Sequence, residues 1–185
     1  GPLAVKCSED NSSVRYRARP FHPDYIPDLE GSTLKGRALE PLPFDGRQLG
    51  ERFALIRPPI PEFTVLGGMM VDRDDVNHLL GMTKSFKSLR HSIKLLVRQG
   101  VDRLRHSRGT RLVMGNALIA SLLQSLDQRR VPVLTQCQMD SVESGSDGIE
   151  ALVLSQQGLK RRLRVKGGVI LASGGFNRHP ERRKA

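Results

Sequence analysis

Apolar residues recur along this chain at changing periods, and each change marks an element. Between residues 86 and 104, Phe86, Leu89, Ile93, Leu96, Val97, Val101 and Leu104 return every three or four positions, the spacing of one helix face. Lys84, Lys87, Arg90, Lys94, Arg98 and Arg103 fall between them. The pattern predicts a long helix with its apolar stripe on the core and its basic face in water. A shorter helix is predicted over 74–82, with Val76, Leu79 and Leu80 on one side. Asp72, Asp74 and Asp75 supply the cap and first-turn negative charge that a helix start favours. A third helix carries Leu118, Ile119, Leu122, Leu123 and Leu126. Asn116 reads as its N-cap, and Pro132 stops it after Arg129 and Arg130.

Short apolar runs and alternation take over beyond the third helix. Residues 131–135 read as a strand, completing a helix-then-strand unit with the character of a βαβ crossover. Residues 142–166 read as an antiparallel meander, with strands over 149–154 and 159–165 and turns over 144–148 and 156–158. Val169, Ile170 and Leu171 then form a buried strand that runs into Ala172, Ser173, Gly174 and Gly175. Small residues at a strand end let a ligand or a second backbone approach closely, and parallel sheets bind ligands just beyond the carboxyl ends of their strands. The competing reading is a tight turn after a core strand.

The first 63 residues carry weaker patterns. Residues 1–20 read as irregular, with the Arg15, Arg17, Arg19 alternation forming an edge strand or a solvated arm. Prolines 20, 23, 27, 41, 43, 58, 59 and 61 exclude long helices and central strands from 20–63. Apolar anchors from Phe21 to Ile56 make that stretch an ordered wrap over a core. Residues 63–66 read as a short strand broken by Gly67 and Gly68, followed by Met69 and Met70, adaptable apolar surface for a ligand wall or a core gap.

Lys and Arg number 30 against 19 Asp and Glu, a net charge of +11. An excess of this size points to an anionic partner, whether nucleic acid, a membrane surface or a phosphate-bearing cofactor. Cys7 and Cys137 have no metal-ligand spacing and read as reduced thiols of a cytoplasmic protein. No apolar run is long enough to span a membrane. The chain does not begin with Met and closes on Arg182-Arg183-Lys184-Ala185, which reads as an internal fragment.

The run from Gly168 to Glu181, Gly-Val-Ile-Leu-Ala-Ser-Gly-Gly-Phe-Asn-Arg-His-Pro-Glu, closely resembles a segment of the fumarate reductase and 3-ketosteroid dehydrogenase flavoproteins. Ser173 stands for the usual Thr, and Asn177 and His179 shift the polar pattern after Phe176. A second resemblance, to 3-ketosteroid dehydrogenases in particular, rests on Asp24, Tyr25, Pro27, Gly31, Gly36, Arg37, Glu40, Pro43, Phe44, Asp45, Arg47, Leu49 and Gly50, with Ser32 in place of a glycine. The stretch from Arg108 to Leu134 is a third.

The resemblance implies an α/β fold: a mixed α+β fragment of a split, Rossmann-like FAD-binding domain with a β-meander, joined to an irregular and helical substrate-side segment. It implies the divisions 1–19 (irregular or edge), 20–108 (substrate side) and 109–185 (partial FAD-binding domain). Ala172, Ser173, Gly174 and Gly175 are implied to touch flavin adenine dinucleotide (FAD), with Asn116 also on the cofactor side. Met139 stands where the family's adenine-contacting valine lies, and Tyr25 falls at the family's active-site tyrosine. The activity implied is removal of two hydrogens beside a ketone in a hydrophobic, steroid-like substrate, a tyrosine taking a proton and the flavin a hydride. The strand–GxGxxG–helix element of dinucleotide sites is not found in these residues.

Three further readings stand beside this one: a fumarate reductase or succinate dehydrogenase-like flavoprotein, a basic module for RNA or another polyanion, and a truncated product without activity. Few aromatics and no recognised motif weigh against specific nucleic-acid binding. The sequence leaves the oligomeric state open.

Overall fold

A computed structural model describes residues 1–175 and Glu181. Phe176, Asn177, His179 and the closing basic residues of the sequence motif lie outside the described residues. The chain divides into two compact units, Gly1–Pro132 and Val133–Ala185. It is a mixed α/β chain, and each of its described ladders is antiparallel.

The first unit opens with helix α1 (Pro2–Asn11), where the polar, turn-rich sequence predicts irregular chain. Pro2 sits in the first turn, where its missing N–H costs nothing. Local bonds from Asn11 Nδ2 to the Cys7 carbonyl and from Ser12 Oγ to the Ser8 carbonyl finish the helix. Strand β1 (Tyr16–Ala18) pairs with β2 (Leu39–Pro41), so the arginine alternation does mark a strand. β3 (Phe44–Asp45) leads into a 3-10 helix over Gly46–Leu55, kinked at Gly50. A second short 3-10 turn, Pro61–Phe63, precedes the ribbon of β4 (Thr64–Val65) and β5 (Met69–Met70), with Gly67 and Gly68 in its turn.

Of the expected anchors in the Pro-rich stretch, Phe44, Leu49, Phe53 and Ile56 are buried, whereas Phe21, Tyr25, Ile26 and Leu29 face solvent. The difference follows the secondary structure. The first group lies on β3 and the 3-10 helix, which pack on a helix, and the second lies in a loop held by polar bonds.

Helix α2 (Arg73–Leu80) begins as expected from its aspartates. Asp72 Oδ1 accepts from the Asp75 amide and Asp75 Oδ2 from the Asp72 amide, a reciprocal capping box. Helix α3 (Phe86–Arg105) spans the predicted stretch but is turned the other way. Its inward side carries Ser88, His91, Ser92, Leu95, Gln99 and Asp102, whereas Phe86, Ile93, Val97, Val101 and Leu104 are exposed. Ser88, His91, Ser92 and Asp102 on that side are bonded, whereas Gln99 Nε2 is buried without a partner among the described residues. Ser92 Oγ donates to the His78 carbonyl, and Asp102 Oδ2 accepts from the Thr110 amide and hydroxyl at 2.8 and 2.7 Å.

β6 (Arg111–Leu112) pairs with β3 and leads into α4 (Met114–Gln128). This helix starts two residues before Asn116, with Val113 as its cap and no side-chain bond there; Asn116 therefore sits inside the first turn. Ala117, Ala120 and Leu123 pack with Phe44, Leu49, Phe53, Ile56 and Met70 into the main core cluster.

In the second unit, β7 (Cys137–Gly145), β8 (Gly148–Gln156) and β9 (Leu159–Arg164) form the expected meander, in order β7-β8-β9. The strands expected over 131–135 and 169–171 do not form, and Ile170 is 93% exposed. A strand apolar on both faces is stable only between neighbours, and no described strand pairs with either run. The βαβ crossover expected around α4 is absent among the described residues for the same reason.

Candidate functional site

The first turn of α4 opens onto a cavity of about 360 Å³. Pro58, Pro59, Ile60, Phe63, Met70 and Met114 give it apolar walls, and Gly115 and Asn116 close its helical end. The proline run builds one wall because it holds extended backbone without needing ladder partners. Met114 enters the helix with φ of +52°. Asn116 Nδ2 donates to the Arg57 carbonyl at 2.9 Å and ties the helix start to that wall. With no side chain capping α4, its first amides point outward from the helix end without a capping acceptor. An apolar body carrying one hydrogen-bond acceptor matches this combination.

A buried charge network stands behind the cavity. Asp75 is 1% exposed. Its carboxylate meets Arg111 Nη1 at 2.7 Å and His91 Nε2 at 2.8 Å. Arg111 also reaches Asp72 Oδ2 and the Met70 carbonyl, each at 3.4 Å. Arg17 adds contacts to Glu40, to Asp74 at 2.9 Å and to Asp72 at 3.7 Å. Burial pushes the Asp72 carboxyl up, but the Asp75 amide, Arg111 and Arg17 outweigh it and hold the group below the usual carboxylate range. The network thus fixes β5 and β6, whose ends supply Met70 and lead to Met114.

The residues expected at the site fall in both units. Tyr25 is fully exposed in the loop after β1. That loop is closed by the Asp24 carboxylate, which accepts from the Thr33 amide at 2.9 Å and pairs with Arg37 at 3.1 Å. Asn116 lines the cavity and Tyr25 does not. Met139 lies in β7 opposite Leu154, beside a register shift. Ala172, Ser173, Gly174 and Gly175 are exposed chain without strand pairing. Gly174 has φ of +83°, with open space where a Cβ would stand.

Sequence patterns alone did not bring out the cavity's proline wall or the Asp75–Arg111–His91 network. The wall had one signal, the Met69-Met70 pair. Met70 proves to be both core and cavity lining. The network had none, because its members are spread over three elements.

Residues 13–185 match the family model described as FAD binding domain. The chain is 32% identical over 183 residues to a 4-oxocyclohex-2-ene-1-carboxylate 5-dehydrogenase of Sinomonas cyclohexanicum, covering 99% of this chain and 31% of the relative. It is 31% identical to a 3-oxosteroid 1-dehydrogenase of Mycolicibacterium smegmatis, covering 99% and 32%. The crystal structure of 3-ketosteroid delta1-dehydrogenase from Sterolibacterium denitrificans, in complex with 1,4-androstadiene-3,17-dione, superposes with a TM-score of 0.82 at 28% identity, over 99% of this chain and 34% of that one. The chain therefore spans about a third of the length of the relatives it matches.

Proposed function

Because this chain belongs to the FAD binding domain family, we propose that it is part of a flavin-dependent dehydrogenase that introduces a double bond beside a ring ketone, in a steroid-like substrate. The observation that carries the reading is the structural match to a 3-ketosteroid dehydrogenase over 99% of the chain. FAD is the family's cofactor, and when bound it accepts the hydride that leaves the substrate.

The described residues fit one edge of that cofactor. Gly174 offers backbone without a side chain in a conformation open to close approach, and Ala172, Ser173 and Gly175 add no bulk beside it. Met139 presents strand backbone for an adenine edge. Residues 109–185 then serve the flavin and 20–108 the substrate. Tyr25, acting as the phenolate, takes the proton from the carbon next to the ketone, and its negative charge passes through that carbon to the ketone oxygen. Donors at that oxygen stabilise the developing enolate. The α4 cavity, with its apolar walls and uncapped amides, suits the far end of an apolar ring system that carries a second acceptor. Free Cys7 and Cys137 support a cytoplasmic setting, and no described helix is long and apolar enough to cross a membrane.

The test is to express the complete open reading frame that encodes these residues. A yellow protein that desaturates a 3-ketosteroid with an artificial electron acceptor supports the reading. An oxocyclohexane carboxylate assayed in parallel distinguishes the two substrate types of the relatives. A colourless protein sinks the flavin assignment, and a yellow one that oxidises succinate instead sinks the ketone assignment.

A further inference from the structure

Among the described residues, nothing covers one amphipathic face of helix α3. Phe86 and Leu104, at its two ends, are 82% and 85% exposed, and Leu89, Ile93, Leu96, Val97 and Val101 continue the stripe between them. At 3.6 residues per turn these residues share an arc of about 140°, and the stripe runs about 27 Å along the axis. Lys87, Lys94 and Arg105 follow on one flank, Arg90 falls between Val97 and Val101 at that edge of the stripe, and Arg103 lies on the other flank. None of these five cations forms an ion pair among the described residues. The one carboxylate in the helix, Asp102, is 3% exposed and bonded to Thr110. Along the middle of the stripe, Ile93, Val97 and Val101 line a groove of about 520 Å³ rimmed by Arg47, Arg90 and Lys94.

We propose that α3 is a docking surface for an anionic lipid bilayer, lying in the headgroup layer with its apolar stripe down. The charge pattern selects this occupant. An interfacial helix buries an apolar face by about 5–10 Å and holds lysines and arginines at the headgroups, and its long basic side chains reach sideways to the phosphates. A second copy of the chain would set one unpaired basic flank against another, with no exposed carboxylate on either helix. A nucleic acid would meet the cations but leave the apolar stripe against hydrated phosphates. The inference stands on α3 alone and does not depend on the flavin reading.

The experiment uses the product of the complete open reading frame, floated with vesicles of phosphatidylcholine alone or mixed with phosphatidylglycerol. Binding to the mixed vesicles that weakens as salt is raised is expected. Replacing Lys87, Arg90 and Lys94 by Gln removes three exposed charges without touching the core. On the scale of one cation near an anionic surface, it is expected to weaken binding on the order of a hundredfold. A second variant, I93S with V97S, is expected to lose binding at low salt as well. Circular dichroism confirms that both are folded. Flotation with neither vesicle, or unchanged flotation of the triple variant, overturns the proposal and assigns the stripe to a polypeptide cover. Tight binding to RNA together with no vesicle binding overturns it in favour of a nucleic-acid surface. Flavin content, read from the same preparations, reports separately on the proposed enzyme.

Discussion

Arg111 Nη1 lies 2.7 Å from Asp75 Oδ2 in a place where the carboxylate is 1% exposed. The pair joins a strand to the first turn of a helix and stands behind the wall that includes Met70. Removing one partner leaves the other buried charge with its weaker partners alone, Asp72 for Arg111 and His91 for Asp75, which costs up to about 3–5 kcal/mol. Arg111→Met and Asp75→Ala are each expected to lower stability by that order, read from the midpoint of urea unfolding. The double variant is expected to lose less than the sum, because neither charge is then left alone. Additive losses would show that the two side chains act independently.

The same network predicts an acid limit to stability. The folded Asp72 carboxyl sits below its unfolded value of about 3.9. The folded state therefore binds fewer protons there. Its contribution is fully present above the unfolded value and is lost as pH falls through the lower folded one. Asp45 adds in the same direction. Burial pushes it up, and bonds from Arg47 with the charge of Arg98 more than reverse that. Asp72→Asn is expected to reduce stability at neutral pH and to flatten the loss on acidification. Unfolding midpoints measured from pH 7 down to the acid transition check both, and an unchanged acid limb in the variant would sink the assignment to Asp72.

Which parts of this structure were legible in the sequence follows from where each element finds its partners. The Asp72–Asp75 capping box and the turns of the β7-β8-β9 meander are local, so their residues announce them. The periodicity of α3 correctly located a helix but not its direction. Ser92, His91 and Asp102 could face inward because His78, Asp75 and Thr110 bond them there, and those partners are remote in sequence. The runs at 131–135 and 169–171 have strand composition but no described edge to join. At the site, the motif containing Gly174 was readable as wording, whereas the cavity at Asn116 arises from three segments meeting and has no local pattern.

Tyr25 gives the sharpest test of the proposed chemistry. Its ring is fully exposed in a loop closed by Asp24, Thr33 and Arg37, so replacing the hydroxyl disturbs no packing. Tyr25→Phe in the complete protein is expected to lower kcat for ketone desaturation by about 10²–10⁴, the range of a positioned acid–base group, with flavin content and stability unchanged. A kcat within about threefold of the parent would remove Tyr25 from the proton transfer.

Gly174 tests the cofactor edge. Its φ of +83° is a conformation L side chains rarely adopt, and nothing stands within 4 Å of the position a Cβ would take. A side chain there meets no steric neighbour in the described chain, so its effect comes from two sources alone. One is backbone strain, roughly 1–2 kcal/mol for a residue held in the left-handed region. The other is interference with whatever approaches the bare backbone. Gly174→Ala and Gly174→Leu, neither branched at Cβ, carry similar strain but differ in bulk. If FAD lies against this backbone, flavin retained after gel filtration falls modestly in the alanine variant and almost completely in the leucine one, while the unfolding midpoints of the two apoproteins stay close. Equal flavin retention in both would mean that Gly174 serves only its turn, and that the small residues after Leu171 do not form the cofactor contact.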